Sequence, residues 1–241
     1  MKPLKIILIG YGRMGHEIEK AAKRRGHEII MHIDKGDQDK LTPEYLQKGD
    51  VAIEFSLPGA AYENIITCFN SDLPVVSGTT GWLEKYSEVR RYCLEHNQTF
   101  FYASNFSIGV NLFFQLNKYF AQIMDKYSNY NVSIEETHHK HKLDAPSGTA
   151  VTLAEYIMQE MNRKQKWTKK ENAEENEISV QSIREDEVPG IHEVSYESEF
   201  DQIDVKHSAK SREGFSLGAV MAAEFIADKK GIYSMDDLLK L

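Results

Sequence analysis

Residues 4–15 read LKIILIGYGRMG, and this segment decides the fold of the first part of the chain. The apolar run before the first glycine predicts a buried strand, and the GxGxxG pattern after it opens a predicted helix. Gly10 permits a tight turn, Gly12 lets a pyrophosphate approach the backbone, and Gly15 allows close helix packing. Asp34 closes the next predicted strand, where an acid would bind a ribose hydroxyl. The segment therefore predicts a βα turn that binds a dinucleotide.

The surroundings of this turn decide between a dinucleotide site and a glycine-rich turn that binds nothing. Strand, helix and distal acid are all present, which favours the dinucleotide. The type of cofactor stays open, because Asp34 favours NADH whereas the adjacent Lys35 can hold the extra phosphate of NADPH. We therefore predict that the chain uses NADPH, NADH or both.

Short apolar runs alternate with helical patterns through the first hundred residues, which is typical of parallel βαβ units. The predicted strands are 4–9, 28–33, 51–55, 74–77 and 99–103, and the predicted helices are 13–25, 58–70 and 82–96. Between residues 33 and 51 there is room only for a helical turn or two, over 42–47. We expect this part to be a doubly wound, Rossmann-like parallel sheet.

From residue 107 the pattern changes, and several predicted strands now follow one another directly. The predicted elements are helices 107–127 and 147–163, strands 130–137, 178–184, 191–199 and 203–208, and helices 215–230 and 235–239. The polar segment 164–177 has opposed charge blocks and is predicted to be an exposed loop or helix end without a chemical role. The fold class is thus α/β, with a second α+β domain built on an open mixed sheet.

Composition excludes several classes of protein. The chain has 241 residues, 41% of them hydrophobic, and a net charge of −8, which argues against nucleic acid or an anionic membrane as the main partner. No apolar run approaches the roughly 18 residues of a membrane span. Cys68 and Cys93 lie in helical patterns without a CxxC pair, so we expect buried thiols. We predict a soluble, cytoplasmic protein.

Residues 135–150 read EETHHKHKLDAPSGTA and concentrate imidazoles, ammonium groups and a helix start. Ser147 is a plausible N-cap, after which Gly148 and Thr149 offer amides at the positive end of a helix. Such amides hold a carboxylate or a phosphate, and a nearby lysine adds a full charge. An adjacent imidazole can act as a general acid near neutral pH. The pattern predicts a catalytic loop that binds an anion and delivers a proton.

Two other interpretations of this loop stay open on the residues alone. The three histidines, with Glu135 and Glu136, could form a metal site, although HExxH and cysteine partners are absent. The run could also be a solvated basic loop.

Two further stretches follow predicted strands, where a doubly wound sheet places its ligand. They are Gly78-Thr79-Thr80-Gly81 and Ala103-Ser104-Asn105-Phe106. Small, hydroxylated and amide residues there leave room for a nicotinamide ring and can bind its carboxamide. Taken alone, either stretch is more often an ordinary turn.

In combination, these segments resemble the bacterial dihydrodipicolinate reductase family over essentially the whole chain. The resemblance is carried by 10–15, 78–81, Asn105-Phe106 and above all the HHxxKxDAPSGTA pattern at 138–150, with 188–190, His192 and 207–212 adding agreement. It implies NAD(P)H-dependent reduction of 4-hydroxy-tetrahydrodipicolinate (dihydrodipicolinate) to tetrahydrodipicolinate, in the diaminopimelate and lysine pathway. The substrate would be a small cyclic dicarboxylate that receives the hydride at a conjugated ring carbon.

The resemblance also implies roles for individual residues. His138 would be the proton donor, Lys142 the second catalytic residue and His139 a substrate contact, while Gly148 and Thr149 would grip a substrate carboxylate. The implied cofactor-binding residues are Gly10, Tyr11, Gly12, Arg13, Met14, Gly15, Asp34, Lys35, Gly78, Thr79, Thr80, Ala103, Ser104, Asn105 and Phe106. No metal is implied.

The family architecture implies two domains. Residues 1–106, completed by 213–241, would form the dinucleotide-binding domain, and 107–212 the substrate-binding and oligomerisation domain of a homotetramer. Domain closure would hinge near 105–107 and 212–215. Arg212 would lie near the substrate cleft.

The chain departs from the family pattern mainly on the cofactor side. The glycine loop is one residue shorter, Leu57 replaces an Arg or His, the segment between Asp34 and Val51 is shorter, and Glu185 replaces a glycine. These departures leave the cofactor preference open. Two other functions remain as alternatives: another two-domain dehydrogenase of a small anionic substrate, and a sensor that binds NAD(P)H without turnover. The sensor gives no reason for the His and Lys loop.

Overall fold

The computed structural model describes residues 2–211 and 213–241, apart from the side chain of Gln38. Its elements are β1 (Lys5–Ile9), α1 (Arg13–Arg24), β2 (Glu28–Ile33), α2 (Pro43–Leu46), β3 (Val51–Glu54), α3 (Pro58–Asn70), β4 (Val75–Ser77), α4 (Tyr86–Glu95), β5 (Thr99–Tyr102), α5 (Ile108–Met124), β6 (Asn131–His138), α6 (Gly148–Glu160), β7 (Lys166–Thr168), β8 (Glu177–Arg184), β9 (Ile191–Glu197), β10 (Gln202–Ser208), α7 (Glu213–Ile226), β11 (Gly231–Tyr233) and α8 (Met235–Leu239). Short 3₁₀ turns cover Gln38–Lys40 and Leu83–Lys85.

The chain divides into two compact units. Unit 1 comprises Met1–Ile108 and Glu213–Leu241, and unit 2 comprises Gly109–Arg212. No helix in the described ranges is both long enough and apolar enough to cross a bilayer.

Unit 1 is built on a six-stranded sheet with the order β11-β5-β4-β3-β1-β2, in which every neighbouring pair is parallel. The order reverses at β1, since β2 lies on one side of it and β3 on the other. Such a reversal opens a crevice past the carboxyl ends of the strands, where doubly wound sheets bind ligands. The predicted Rossmann-like sheet is confirmed.

After the exposed Lys5, strand β1 is apolar because both of its faces are buried. Ile6 and Leu8 join a cluster with α1 and α7, whereas Ile7 and Ile9 join one with α3 and α4. All four are at most 2% exposed. The alternation of side chains along a strand thus distributes one apolar run between two cores.

Two predicted elements of unit 1 were wrong in part. The helix expected over 82–96 is a 3₁₀ turn followed by α4, and the helix expected over 215–230 ends at Ile226. Strand β11 then pairs with β5. Three residues are too few to show a hydrophobic period, so nothing local in the sequence indicates this strand.

Unit 2 has a mixed five-stranded sheet with the order β10-β9-β6-β8-β7. β6 pairs in parallel with β8 and antiparallel with β9. Apolar side chains of the sheet pack with those of α5 and α6 in one core, which contains Phe113, Val132, Ile134, Leu153, Val180 and Val194. The predicted second domain on a mixed sheet is confirmed.

The expectation of an exposed loop or helix end over 164–177 was wrong in part, since residues 169–176 are irregular and mostly exposed but the residues before them are not. The segment contributes strand β7, and Lys164 is only 2% exposed. Its ammonium group donates to Asn131 Oδ1 at 2.6 Å and to the carbonyl oxygens of Glu175 and Glu177 at 2.8 Å. A buried ammonium is tolerated when each proton has an acceptor, which a charge count along the sequence cannot show.

Replacing Lys164 with Met is expected to lower the free energy of unfolding by about 1–3 kcal/mol, because three acceptors, one of them buried, lose their donor. Denaturant unfolding measures this loss. Lys170→Met is the matched control, since Lys170 is exposed and its removal should change stability by less than about 0.5 kcal/mol. Equal effects of the two variants would contradict a structural role for Lys164.

Candidate active site

A cavity of ≈ 410 Å³ lies in unit 1 at the point where the strand order reverses. Five predicted cofactor residues line it: Gly10, Tyr11, Gly12, Asp34 and Lys35. Its other lining residues are Ile9, Ile33, Leu41, Phe55, Ser56, Leu57, Ala60 and Asn64. The volume and the mostly apolar lining suit a small-molecule site. Asp34 and Lys35 are both exposed, so an acid and a cation are available to a ribose or its phosphate.

The glycine loop is tightly constrained at Gly10. This residue has φ +92°, and a Cβ there would overlap the carbonyl oxygen of Phe55. At Gly12, by contrast, a Cβ would meet nothing within 4 Å, so the backbone there is open to a ligand. Gly10 is therefore needed by the fold, and Gly12 fits close approach by a pyrophosphate.

Replacing Gly10 with Ala is expected to lower the free energy of unfolding by about 1–3 kcal/mol. It should also raise the Kd for NADH and NADPH about tenfold or more, since about 1.4 kcal/mol of lost binding energy suffices. Nucleotide titration measures the Kd. Gly26→Ala is the control, because Gly26 has φ +83° but no atom within 4 Å of a Cβ. That variant should lose some stability and keep its Kd; unchanged binding in Gly10→Ala would contradict the prediction.

A fully buried carboxylate, Glu54, joins the ends of β3 and β4 beside this cavity. It accepts hydrogen bonds from Ser77 Oγ at 2.7 Å and Thr79 Oγ1 at 2.9 Å, as well as from the hydroxyl and amide of Ser56. The Thr79 hydroxyl also accepts from the amide of Ser56 at 2.8 Å. The hydroxyl of Thr79 is therefore used within the protein, whereas the neighbouring Thr80 is exposed.

The remaining predicted cofactor residues differ in exposure. Phe106 is 2% exposed and packs against Phe55, with 5.4 Å between ring centroids. The side chain of Asn105 accepts a hydrogen bond from the amide of Ser107 at 2.8 Å. Exposed or half-exposed members of the set are Arg13, Met14, Gly78, Thr80 and Ser104, whereas Gly15 and Ala103 are buried. Phe106 is therefore a core residue of unit 1.

The predicted catalytic loop belongs to unit 2, and its first imidazole, His138, ends strand β6. His138 is 8% exposed, and its Nδ1 makes a short hydrogen bond with the carboxylate of Glu136. The two side chains share one face of β6 because they are two residues apart. On the far side of the ring, a Cβ at Gly190 would lie 3.0 Å from Nε2. The glycine leaves room at the nitrogen that faces away from Glu136.

Glu136 is fully buried and ionised. Its Oε1 accepts from Arg184 at 3.0 Å and from the amide of Ser147 at 3.3 Å. Burial alone raises the pKa of this carboxyl, but hydrogen bonds from His138, Ser182 and Arg184 outweigh burial and lower the pKa to about 2. A permanent negative charge therefore lies beside the imidazole of His138.

A second histidine, His192 of β9, packs edge-on against His138 with 5.0 Å between ring centroids. Burial, reinforced by the neighbouring His138, lowers the pKa of His192 to about 3, so this ring is neutral. Its Nε2 lies 3.1 Å from Ser147 Oγ, which also accepts from the amide of Ala150 at 3.2 Å. The predicted N-cap at Ser147 is confirmed, and His192 fixes its hydroxyl.

Arg184 ties the loop between β6 and α6 to the sheet. Besides Glu136, its guanidinium donates to the carbonyl oxygens of Lys142 at 3.3 Å and Asp144 at 2.7 Å. Lys142 Nζ in turn donates to Asp144 Oδ1 at 2.9 Å, and its side chain is 22% exposed. The ammonium of Lys142 is thus held in place and still reachable.

Gly148 and Thr149 form the first turn of α6, whose amides point toward the N-terminal end of the helix. Gly148 is exposed and Thr149 is half-buried. His139 lies just beyond the end of β6, half-buried, with its ring centroid 6.2 Å from that of His141. Arg212, the other residue expected near the substrate, lies outside the described residues.

Three groups could in principle hold a metal ion, since Glu136, His138 and His192 offer ligand atoms within 4.8 Å of one another. Both oxygens of Glu136, however, already accept hydrogen bonds from His138, Arg184 and the Ser147 amide. When both oxygens of a carboxylate accept hydrogen bonds from protein groups, that carboxylate is better suited to orienting an imidazole than to binding a metal. The geometry therefore favours proton transfer over a metal centre.

Sequence reasoning missed Glu136 and Arg184 as parts of this site. The sequence indicated Glu136 only as a possible metal ligand. It lies two residues before His138, however, and this spacing in a strand places both side chains on one face. Arg184 lies 46 positions further along the chain and meets the site because β8 pairs with β6 at the His138–Arg184 position. No local signal reveals that register.

Comparisons with known proteins agree on one family. Residues 4–106 match the model described as dihydrodipicolinate reductase, N-terminus, and residues 109–239 match the one described as dihydrodipicolinate reductase, C-terminus. A protein of Christiangramia forsetii named 4-hydroxy-tetrahydrodipicolinate reductase is 50% identical over 236 residues, covering 98% of each chain. A protein of Clostridium novyi with the same name is 34% identical over 254 residues, again covering 98% of each chain.

Among solved structures, the fold resembles the dipicolinate-bound dihydrodipicolinate reductase from Paenisporosarcina sp. TG-14. The TM-score is 0.76 at 20% identity, over 97% of this chain and 98% of that one. At this identity the likeness concerns the fold alone. The family models and the relatives, which span both units, show that the chain belongs to the dihydrodipicolinate reductase family of NAD(P)H-dependent oxidoreductases.

Proposed function

We propose that this chain reduces 4-hydroxy-tetrahydrodipicolinate to tetrahydrodipicolinate in diaminopimelate and lysine biosynthesis, with His138 as the proton donor. The observation that carries the proposal is the pairing of His138 with the buried carboxylate of Glu136, beside the capped start of α6. This arrangement offers an acid next to a site for an anion. The close relative's name supports the choice of substrate.

The substrate's two carboxylates match the positive groups of unit 2. The amides of Gly148 and Thr149, at the N-terminus of α6, grip one carboxylate. Lys142 stabilises the negative charge that develops on the ring, and His139 is a further substrate contact. His138 then delivers the proton from Nε2, the nitrogen that faces away from Glu136.

Unit 1 holds the dinucleotide in its cavity. The bare backbone at Gly12 accepts the pyrophosphate, and Asp34 with Lys35 accept the ribose end of either cofactor. The nicotinamide, when bound, supplies the hydride to a conjugated ring carbon of the substrate. Because Asp34 and Lys35 both line the cavity, we infer that NADH and NADPH are both used.

We also infer a cytoplasmic homotetramer assembled through the sheet of unit 2. The face of this sheet that turns away from α5 and α6 supports this, because Ile183 of β8 is 40% exposed there. Light scattering on the purified protein measures the mass of the assembly. A single-chain mass near 27.6 kDa would contradict this inference.

A coupled assay tests the proposed reaction. The synthase that condenses pyruvate with aspartate semialdehyde supplies the substrate in the same cuvette, and nicotinamide oxidation is followed once with NADH and once with NADPH. Rapid oxidation that depends on the synthase is expected, and the two Michaelis constants rank the cofactors. Bound cofactor without oxidation would instead favour a dehydrogenase of another small anion or a sensor without turnover.

A further inference from the structure

We propose that Glu136, clamped by Arg184, is a positioning residue: its carboxylate holds Nδ1 of His138 and leaves Nε2 of the same ring to deliver the proton. This proposal rests on the proposed role of His138 as proton donor. It adds to that role the residue that orients the acid.

The geometry of the pair orients the ring. Glu136 and His138 share one face of β6, and the carboxylate engages Nδ1 through a short hydrogen bond. An imidazole whose Nδ1–H is held by a carboxylate cannot rotate freely about its Cβ–Cγ bond, which leaves Nε2 as the outward nitrogen. Gly190 adds no side chain against that nitrogen, which a Cβ there would approach to 3.0 Å.

The charge of Glu136 is maintained by partners that do not react. A carboxylate without exposure is costly unless charged or polar donors surround it. Arg184 supplies a full positive charge at 3.0 Å, and the Ser147 amide supplies a further donor. Arg184 is itself fixed by the carbonyl oxygen of Asp144 at 2.7 Å. Glu136 therefore stays ionised while His138 cycles between its two states.

The other titratable groups around His138 do not take over this role. From β9, His192 faces it as a neutral ring, because burial holds the pKa of His192 near 3. On β10, His207 lies opposite His192 in the strand pairing, and burial lowers the pKa of His207 as well. From the loop, Lys142 is cationic and engaged by Asp144. Arg184 and the hydroxyl of Ser182 approach from β8 and bond to Glu136. Among these groups, Glu136 is thus the anion in hydrogen-bond contact with the imidazole of His138.

The proton balance is simple. Imidazolium His138 gives its Nε2 proton to the substrate carbon adjacent to the one that receives the hydride, and it becomes neutral. The Nδ1 proton stays between His138 and Glu136, because the carboxyl, with a pKa of about 2, does not accept it near neutral pH. A proton from water restores Nε2–H before the next turnover.

Glu136→Gln tests the proposal, because the amide keeps the shape and removes the charge. We expect kcat to fall about 10- to 100-fold, as for loss of a residue that orients a reacting group. The KM values for substrate and cofactor should change less than about threefold. The alkaline limb of the pH–kcat profile should move to lower pH by about one unit or more, because the neutral amide no longer favours the charged ring.

Two variants serve as controls. Glu135→Gln removes the same charge from the neighbouring, exposed position of β6, on the opposite face, and should keep the wild-type rate and profile. Glu136→Asp keeps the charge on a shorter side chain and should recover part of the rate and the wild-type alkaline limb. If Glu136→Gln does not fold, Glu136→Asp still decides. An alkaline limb of its pH–kcat profile that moves to lower pH by about one unit or more would overturn the proposal.

A double variant separates this proposal from the proposed function. If Glu136 acts through His138, then Glu136→Gln combined with His138→Gln should be no slower than His138→Gln alone. If the losses in kcat of the two single variants multiply in the double variant, then Glu136 acts independently of His138, and the positioning role is overturned. Wild-type turnover in His138→Gln would refute the proton-donor role itself. A slow His138→Gln with a wild-type Glu136→Gln would refute only the role of Glu136.

Discussion

Replacing His138 with Gln is expected to lower kcat about 100- to 10,000-fold, with only a few-fold change in KM for either substrate or cofactor. A proton donor acts mainly in the transition state, so its loss affects turnover more than binding. The buried carboxylate of Glu136 strengthens this expectation, because its hydrogen bond to Nδ1 fixes the orientation of the His138 ring. Steady-state kinetics with the coupled synthase assay give both constants.

His141→Gln is the matched control for this experiment. His141 belongs to the same loop, but its side chain is 67% exposed and its Nε2 lies 3.4 Å from Glu187 Oε1. We expect its kcat to stay within about threefold of the wild-type value, since it meets none of the groups around Glu136. An unchanged kcat in His138→Gln would remove His138 from the proton-donor role, whatever the control shows.

Replacing Lys142 with Ala is expected to lower kcat about 100- to 1,000-fold and to raise the KM for the dicarboxylate. The ammonium is held at 2.9 Å from Asp144 Oδ1 and is 22% exposed, so it can meet an anion without rearrangement. A charge-assisted contact stabilises both the bound carboxylates and the charge that develops on the ring. The KM for NADH or NADPH should stay nearly constant, because the dinucleotide cavity lies in unit 1.

Lys140→Ala controls for the general charge of the loop. Lys140 is exposed two residues away, and its removal subtracts the same formal charge. A screened, exposed charge contributes little, so we expect less than about a threefold change in kcat/KM at physiological ionic strength. Equal losses in the two variants would show that Lys142 acts only through the net charge of the loop.

Much of the fold follows from local pattern. The apolar run before Gly10 and the spacing of the glycines predict the first βα unit, and the observed β1 and α1 agree within a residue at each end. The N-cap at Ser147 was also predictable, since a hydroxyl that accepts from the amide three residues on requires only a local turn. Short elements such as β11 were not predictable, because three residues carry no period.

The residues of the candidate site also divide into those that the sequence indicates and those that only the fold brings together. Residues whose chemistry lies in a contiguous motif, such as His138 and Lys142, stand out in the sequence. Arg184 reaches them only through the pairing of β8 with β6, and Glu54 meets Ser77 and Thr79 only because β3 and β4 are neighbours. The role of Lys164 likewise depends on carbonyl oxygens that the fold brings to it.

The sequence by itself determined the family, the alternation of strands and helices and the glycine turn, and it singled out the candidate acid and cation in the loop. These features depend on side-chain chemistry and on spacings shorter than one element. Only the tertiary structure decided that Glu136 is ionised, that His192 is neutral and that Arg184 holds the loop. Burial and strand register set protonation states and hydrogen bonds, and both arise from contacts between residues that are distant in the chain.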